Sequence, residues 1–400
     1  MFAAITLIAS AYASAAATLP QSASAGVETE PTLQLSDFAA PPPASGKGYR
    51  IDPKVPVAGY LGQFAMHTDL GDMKVEGSGL LKQRIAEVGP SIELQKMSKS
   101  KVFVDALGSS AENSAKAVGR AVAHPVDTVA GIPAGVGRLF TSIGKTASST
   151  TSGDTAGAAS EALGVNEAKR EIAKNVGIDP YTTNPQLSGR LDDLAEAAVA
   201  GGISLNVAMS VATAGVATAI SATATISNLA WDLPPEDIRA RNDKELAALT
   251  VDEAPREKFL NNRWYTPTMA ISFVDALKEL GVHDDANALV ALSANAASEV
   301  EARFFIAQLR LAQSYAKGGD AIVSIGTVGD VGAFRTASGK LLLPAPVDYL
   351  SWDEGVKSLV ESNNAATGEH LVWLTGKASP MATAQLRAKG WSLRERVPQD

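Results

Sequence analysis

The chain has 400 residues, 46% of them apolar and 20% charged. That balance belongs to a globular chain with room for two or three structural units and excludes a disordered polymer. A formal net charge of −8 speaks against a general nucleic-acid binder, which needs a basic face to neutralise phosphates. With no cysteine, disulfides, thiolate metal sites and a cysteine nucleophile are excluded together.

Aromatic residues make up only 6%, and alanine carries much of the apolar content. Alanine-rich faces let helices approach closely. The expected fold is therefore mainly α: a multi-helix body with a central Ala-rich helical hairpin, plus a small C-terminal α/β unit.

The chain opens MFAAITLIASAYASAAATLPQSASA. An apolar run followed by small residues, Pro20 and an A-x-A site at Ala23-Ser24-Ala25 reads as a secretory signal peptide over residues 1–25. Ala13-Ser14-Ala15 is a second candidate site. No Lys or Arg precedes Lys47, so the usual basic start is missing and a buried N-terminal helix stays open as the other reading. Residues 26–56, with Pro41-Pro42-Pro43 and scattered Ser and Gly, read as an extended linker.

Residues 57–180 read as a first helical unit. Leu80, Leu81, Ile85 and Val88 share one helical face, Gly89-Pro90 interrupts it, and Ile92, Leu94 and Met97 resume it. Further helices are expected from Ser100 and over residues 111–123. Between His124 and Lys145 apolar residues recur at three- and four-residue spacing, with Gly131, Gly135 and Gly137 among them. Glycine costs about 1 kcal/mol per helical site, so three require a reason. Buried packing against another helix is one. Contact with a membrane surface through Ile132, Val136, Arg138, Phe140 and Lys145 is the other. Gly144-Lys145-Thr146 ends like a phosphate loop, but Leu139 stands where that loop needs its first glycine. Residues 146–160 read as a flexible break, and a helix follows from Glu161 to Val176, ended by Gly177.

The run GVNEAKREIAKNVGIDPYTTNP, with HPVDTVAGIPAGVGRLF before it and NNRWYTP after it, resembles a family of uncharacterised secreted bacterial proteins. The resemblance covers the chain from about residue 70 onward. It implies export and assigns no activity and no catalytic residue.

Residues 181–317 read as a second helical unit. Within it, residues 197–231 carry no charge, a stretch longer than the ~20 residues that cross a bilayer as a helix. Its large apolar residues are a minority, so insertion energies over any window are marginal. A buried hairpin turning near Gly215, a hairpin that inserts conditionally, and a permanent span all remain open. After it, Pro234-Pro235 and Thr266-Pro267 start helices. A cap at Asp284 or Asp285 begins a single long apolar rhythm running to Tyr315.

Residues 318–400 change period. Strands are expected at 321–328, 333–335, 340–343, 370–374 and 391–396, with helices at 351–361 and 379–390. Strand, helix and strand within so short a span form a βαβ unit. A ligand there sits where strand meets helix. Thr375, Gly376, Lys377 and Ser379 are therefore the candidate anion-binding loop, with an ordinary capped turn as the alternative.

The four histidines, His67, His124, His283 and His370, show no metal-ligand spacing, and no Gly-x-Ser-x-Gly occurs. Neither cofactor nor metal is expected. The sequence points to an exported periplasmic or secreted protein that acts by binding, with a membrane surface or an envelope protein as partner and no nucleic acid. Two alternatives stand: a periplasmic hydrolase with its site between the helical body and the C-terminal α/β unit, and a membrane-inserting effector. Oligomeric state is left open.

Overall fold

In the computed structural model, residues 26–98, 135–141, 162–201, 224–282, 285–363 and 368–398 are described. The first of these segments builds a sheet where a linker and helices were expected. Its strands are β1 (Thr32–Gln34), β2 (Ser45–Gly46), β3 (Tyr49–Ile51), β4 (Lys54–Ala58), β5 (Leu61–Thr68) and β6 (Gly71–Glu76), all paired antiparallel. β5 is central: it meets β4 at Val57 opposite Gly62, β3 at Tyr49 opposite Thr68, and β6 along its other edge. In β4, Val55 and Val57 turn inward while Lys54 stays outside. In β5, Phe64 and Met66 do the same, and Val55, Phe64 and Met66 form a core with Leu81 and Val88 of the following helix.

This sheet overturns the mainly α expectation. The described residues are 51% helical and 20% strand, with sheets of six, five and two strands among them, so their architecture is α+β. Part of the physical reason is strand length. β1, β2 and β3 hold three, two and three residues, too few for an alternating pattern to register against helical periodicity.

The helical body follows. α1 (Ser78–Ser98) passes through Pro90 without stopping, against the expected interruption. The missing proline N–H costs one backbone bond, and Leu94, beyond it, is fully buried. α2 (Gly137–Thr141) is short. α3 (Ala162–Val176) ends at Gly177, whose φ of 71° is left-handed as a helix stop requires. It packs on α4 (Pro185–Gly201) through Ile172, Leu187 and Leu191. α5 (Ala224–Asp232), α6 (Pro235–Ala248), α7 (Glu253–Leu260) and α8 (Pro267–Glu279) complete this layer. The long rhythm expected up to Tyr315 is broken into α9 (Ala286–Ser293) and α10 (Glu299–Ala316). Ser298 caps α10 by accepting from Glu301 N, and the Glu301 carboxylate accepts from Ala297 N at 2.7 Å. Local caps here win over continuous apolar spacing.

The C-terminal sheet contains β7 (Ile322–Val328), β8 (Val331–Thr336), β9 (Leu341–Ala345), β11 (His370–Leu374) and β13 (Trp391–Arg394), in the order β13-β11-β9-β8-β7. The β7–β8 hairpin and the β8–β9 pair are antiparallel; β9, β11 and β13 are parallel. α11 (Glu354–Asn363) and α12 (Pro380–Ala388) make the crossovers. One continuous apolar core joins Tyr60, Phe273, Leu309, Leu342 and Trp391, so the C-terminal unit is packed into the rest of the protein.

Candidate functional site

The loops leaving β9 and β11 contain β10 (Tyr349–Leu350) and β12 (Lys377–Ala378), which pair parallel and zip the two loops together. The approach is close: a Cβ on Gly376 would lie 2.0 Å from the Asp348 carbonyl oxygen, so only glycine fits. This is the crevice outside the carboxyl ends of parallel strands, where α/β proteins place their ligands.

Thr375, Gly376, Lys377 and Ser379 come together there, as the sequence suggested. Their donors are already engaged. Lys377 N donates to Asp348 O (3.1 Å), Ser379 N to Leu350 O (2.9 Å) and Thr375 Oγ1 to Val347 O (3.0 Å). Ala378 N donates to the Glu395 carboxylate at 2.5 Å. The Ser379 hydroxyl caps α12 by accepting from Ala382 N (2.8 Å) and donates to Glu28 Oε1. Glu28 also accepts from Trp352 N at 2.6 Å. Two of the chain's own carboxyl groups, Glu395 and Glu28, thus accept from this loop.

The N-terminal sheet docks against the same place through the β4–β5 turn. Tyr60 sits in left-handed backbone at φ 65°, a conformation that costs a non-glycine residue about 1–2 kcal/mol. Five contacts hold it. Its N–H donates to Glu30 (2.6 Å), its carbonyl accepts from Asp348 N and Tyr349 N, its hydroxyl donates to Asp353 (2.6 Å), and its ring meets Phe140 edge-on at 4.7 Å. Burial, reinforced by the Asp353 charge, pushes the phenol well above its ordinary range. Asp348, also buried, accepts from Gly62 N (2.9 Å), Ser78 N (3.0 Å) and the Ser78 hydroxyl. Burial raises its carboxyl above the ordinary value, although those three donors pull the other way. Ser351, fully buried between these residues, has a hydroxyl with no partner among the described residues.

A second polar cluster joins α1, the turn at 179–184 and the start of α10. The buried Glu87 carboxylate accepts from Gln83 (3.0 Å), Thr182 (2.8 Å), Arg84 (2.9 Å) and Asn184 (2.9 Å). Arg84 donates on to Thr183 (2.7 Å), which donates to Glu299 (2.6 Å). Arg303 donates to Glu299 (2.7 Å) and to Gln83 Oε1 (2.9 Å). Burial works to raise Glu299, but Arg303 and Arg84 outweigh it and hold its carboxyl below the ordinary range. The sequence marked 179–184 only as a turn; its two threonines and asparagine in a row were the signal that a buried acceptor lay opposite.

Of the residues expected at a membrane surface, Val136 and Phe140 lie in the main core and are withdrawn from any surface. Arg138 pairs with the buried Glu301, Nε to Oε1 at 2.9 Å and Nη2 to Oε2 at 2.5 Å. Ile132 and Lys145 lie outside the described residues. Gly135, at φ 65°, approaches the Ala58 and Gly59 carbonyls so closely that a Cβ would sit 2.4 Å away. Close backbone approach is thus the reason for that glycine. The expected helices over 100–123, the turn near Gly215, His124 and His283 also lie outside the described residues.

His67 bridges Asp72 (2.9 Å) and Asp52 (3.1 Å) on opposite ring nitrogens, a geometry that does not converge on one ion. His370 stacks on Trp391 at 4.7 Å. No group of three metal-ligating side chains occurs among the described residues. Between helical body and C-terminal sheet, where a hydrolytic site was expected as an alternative, Gln308 is fully buried. Its amide donates to the Gly332 and Pro344 carbonyls and accepts from Gly332 N. A groove of about 260 Å³ lies between α6 and α7, lined by Arg239, Asp243, Glu253 and Arg256. It is smaller than typical small-molecule sites, and Arg256 is committed to Asp243 and the Val251 carbonyl. Among the described residues no helix is long and apolar enough to cross a membrane. No protein family, curated protein or solved structure matches this chain.

Proposed function

We propose that the protein is exported to the bacterial envelope, as the family it resembles is, and acts there by binding, with a membrane surface as its partner. The observation that carries this reading lies at the two described ends of the uncharged stretch. α4 is rooted by Leu191, Leu194 and Ala195, and α5 by Ile226, Ala230 and Trp231, whose Nε1 donates to Ile178 O at 2.8 Å. Between these anchors Val199 stands 49% exposed, and residues 202–223 continue without a charge. An apolar side chain at the mouth of an uncharged run is what contact with a lipid interface favours.

Flotation of the chain from Gly26 onward with anionic and with neutral liposomes tests it. The protein should rise with the vesicles, and replacing residues 202–223 by a Gly/Ser loop should abolish this while leaving the circular dichroism of the body unchanged. A chain that stays at the bottom with both lipid compositions removes the reading. Dye release from the same vesicles separates surface binding from insertion.

A further inference from the structure

Sheet edges are where a folded chain leaves backbone groups unpaired, and natural proteins protect them with charge, proline or brevity. Four of the five described edge strands of the two large sheets follow that rule. β1 and β2 hold three and two residues. β6 carries Asp72, Lys74 and Glu76. β13 has four residues ending at Arg394, followed by Glu395 and Arg396.

β7 departs from it. Its sequence IVSIGTV runs for seven residues without a charge or a proline, and its β-branched content is high, as a pairing strand favours. Val328 pairs with Val331 across a two-residue turn, which makes them a hydrogen-bonded pair. By alternation, the N–H and C=O of Ile325 and Thr327 point away from β8, toward the open edge. No described group pairs with them. Beside that edge, Val323 is 53% exposed, one of two large exposed apolar side chains among the described residues, and Thr327 is exposed as well.

We infer that this edge is the interface of a symmetric dimer, in which β7 of one copy pairs antiparallel with β7 of a second through Ser324–Val328. The register irregularity between Ile322 and Ser324 confines regular pairing to those residues. A second copy is the occupant that fits. Two-fold antiparallel pairing sets a strand against itself, so any charge on β7 would be brought within a few residues of the same charge on the second copy, and β7 has none. A charged partner strand would instead bring ions against an edge with nothing to neutralise them. The two five-stranded sheets would become one continuous sheet. So short an edge is a small interface, so association in about the micromolar range is expected.

Sedimentation equilibrium of the full-length chain over about 5–500 µM reads this directly. Wild type should show a monomer–dimer equilibrium. Val323→Lys and, separately, Thr327→Pro should each weaken it at least about tenfold with an unchanged monomer spectrum, because neither alters a bond to β8. If Thr327→Pro disturbs the hairpin, Val323→Lys alone decides. A monomer across the whole range overturns the inference, and so does association that Val323→Lys leaves intact.

Discussion

Two buried junctions hold this molecule together, and they treat carboxylates differently. At Asp348, where the N-terminal sheet meets the loops of the C-terminal unit, the carboxylate faces backbone N–H groups and a hydroxyl, with no cation among the described residues bonded to it. At Glu87 and Glu299, where α1 meets α10, guanidinium groups of Arg84 and Arg303 take that place. Burial therefore wins at Asp348 and raises its carboxyl, while the arginines win at Glu299 and lower it. Dipoles satisfy geometry without supplying a full countercharge; ion pairs supply the charge but leave a second ion stranded when one partner is removed.

Substitutions at the two junctions sharpen that contrast. The largest loss is expected for Glu87→Ala, which takes from the buried Arg84 its hydrogen-bonded carboxylate, leaving it only Glu299 at 3.6 Å, and leaves three further donors unpaired: about 3–5 kcal/mol, read by urea denaturation. Asp348→Ala leaves only neutral donors unpaired and should cost less, about 2–3 kcal/mol. Equal losses would erase the distinction drawn above.

The pH profiles of Asp348→Asn and Glu299→Gln should then slope in opposite directions. Glu299 is lowered, so its contribution is present above pH 4.5 and lost as pH falls through the folded value. The cost of Glu299→Gln should vanish toward acid. Asp348 is raised, so its contribution is full below pH 3.8 and declines as pH climbs through the folded value. The cost of Asp348→Asn should therefore be greatest in acid. Parallel slopes from thermal melts at a series of pH values would count against this assignment. The smallest effect belongs to Glu28→Ala at the half-buried edge of the Asp348 junction, about 1 kcal/mol; it should appear first as faster proteolysis of the segment before β1.

The legible parts of the fold were those that announce themselves over many residues. β7, β9 and β11 lie close to where Val-, Ile- and Leu-rich runs placed them, and Gly177 ended α3 as expected. Part of the N-terminal sheet was illegible because its pairing is non-local: Thr32 meets Pro56, and Tyr49 meets Thr68; the β4–β5 and β5–β6 hairpins are local and were overlooked. Short polar strands gain their stability from partners, and a period search sees only neighbours. The loop at 375–379 was found from strand–helix chemistry. Its occupants, Glu28 and Glu395, were not, since no local pattern links a residue at one end of the chain to a loop near the other. The membrane reading of Val136 and Phe140 rested on amphipathic spacing, which a core face and a lipid face share.

Glu28 and Glu395 reach adjacent residues of one turn, Ser379 and Ala378. The body is thus closed nearly into a ring, with both described ends fastened at a single knot. Pulled from those ends, it would open like a clasp, loading the knot one bond at a time before force reached the core. A permutant that joins the ends by a few residues and begins elsewhere would keep the knot inside the chain, where the covalent backbone carries the load that two carboxylates carry now.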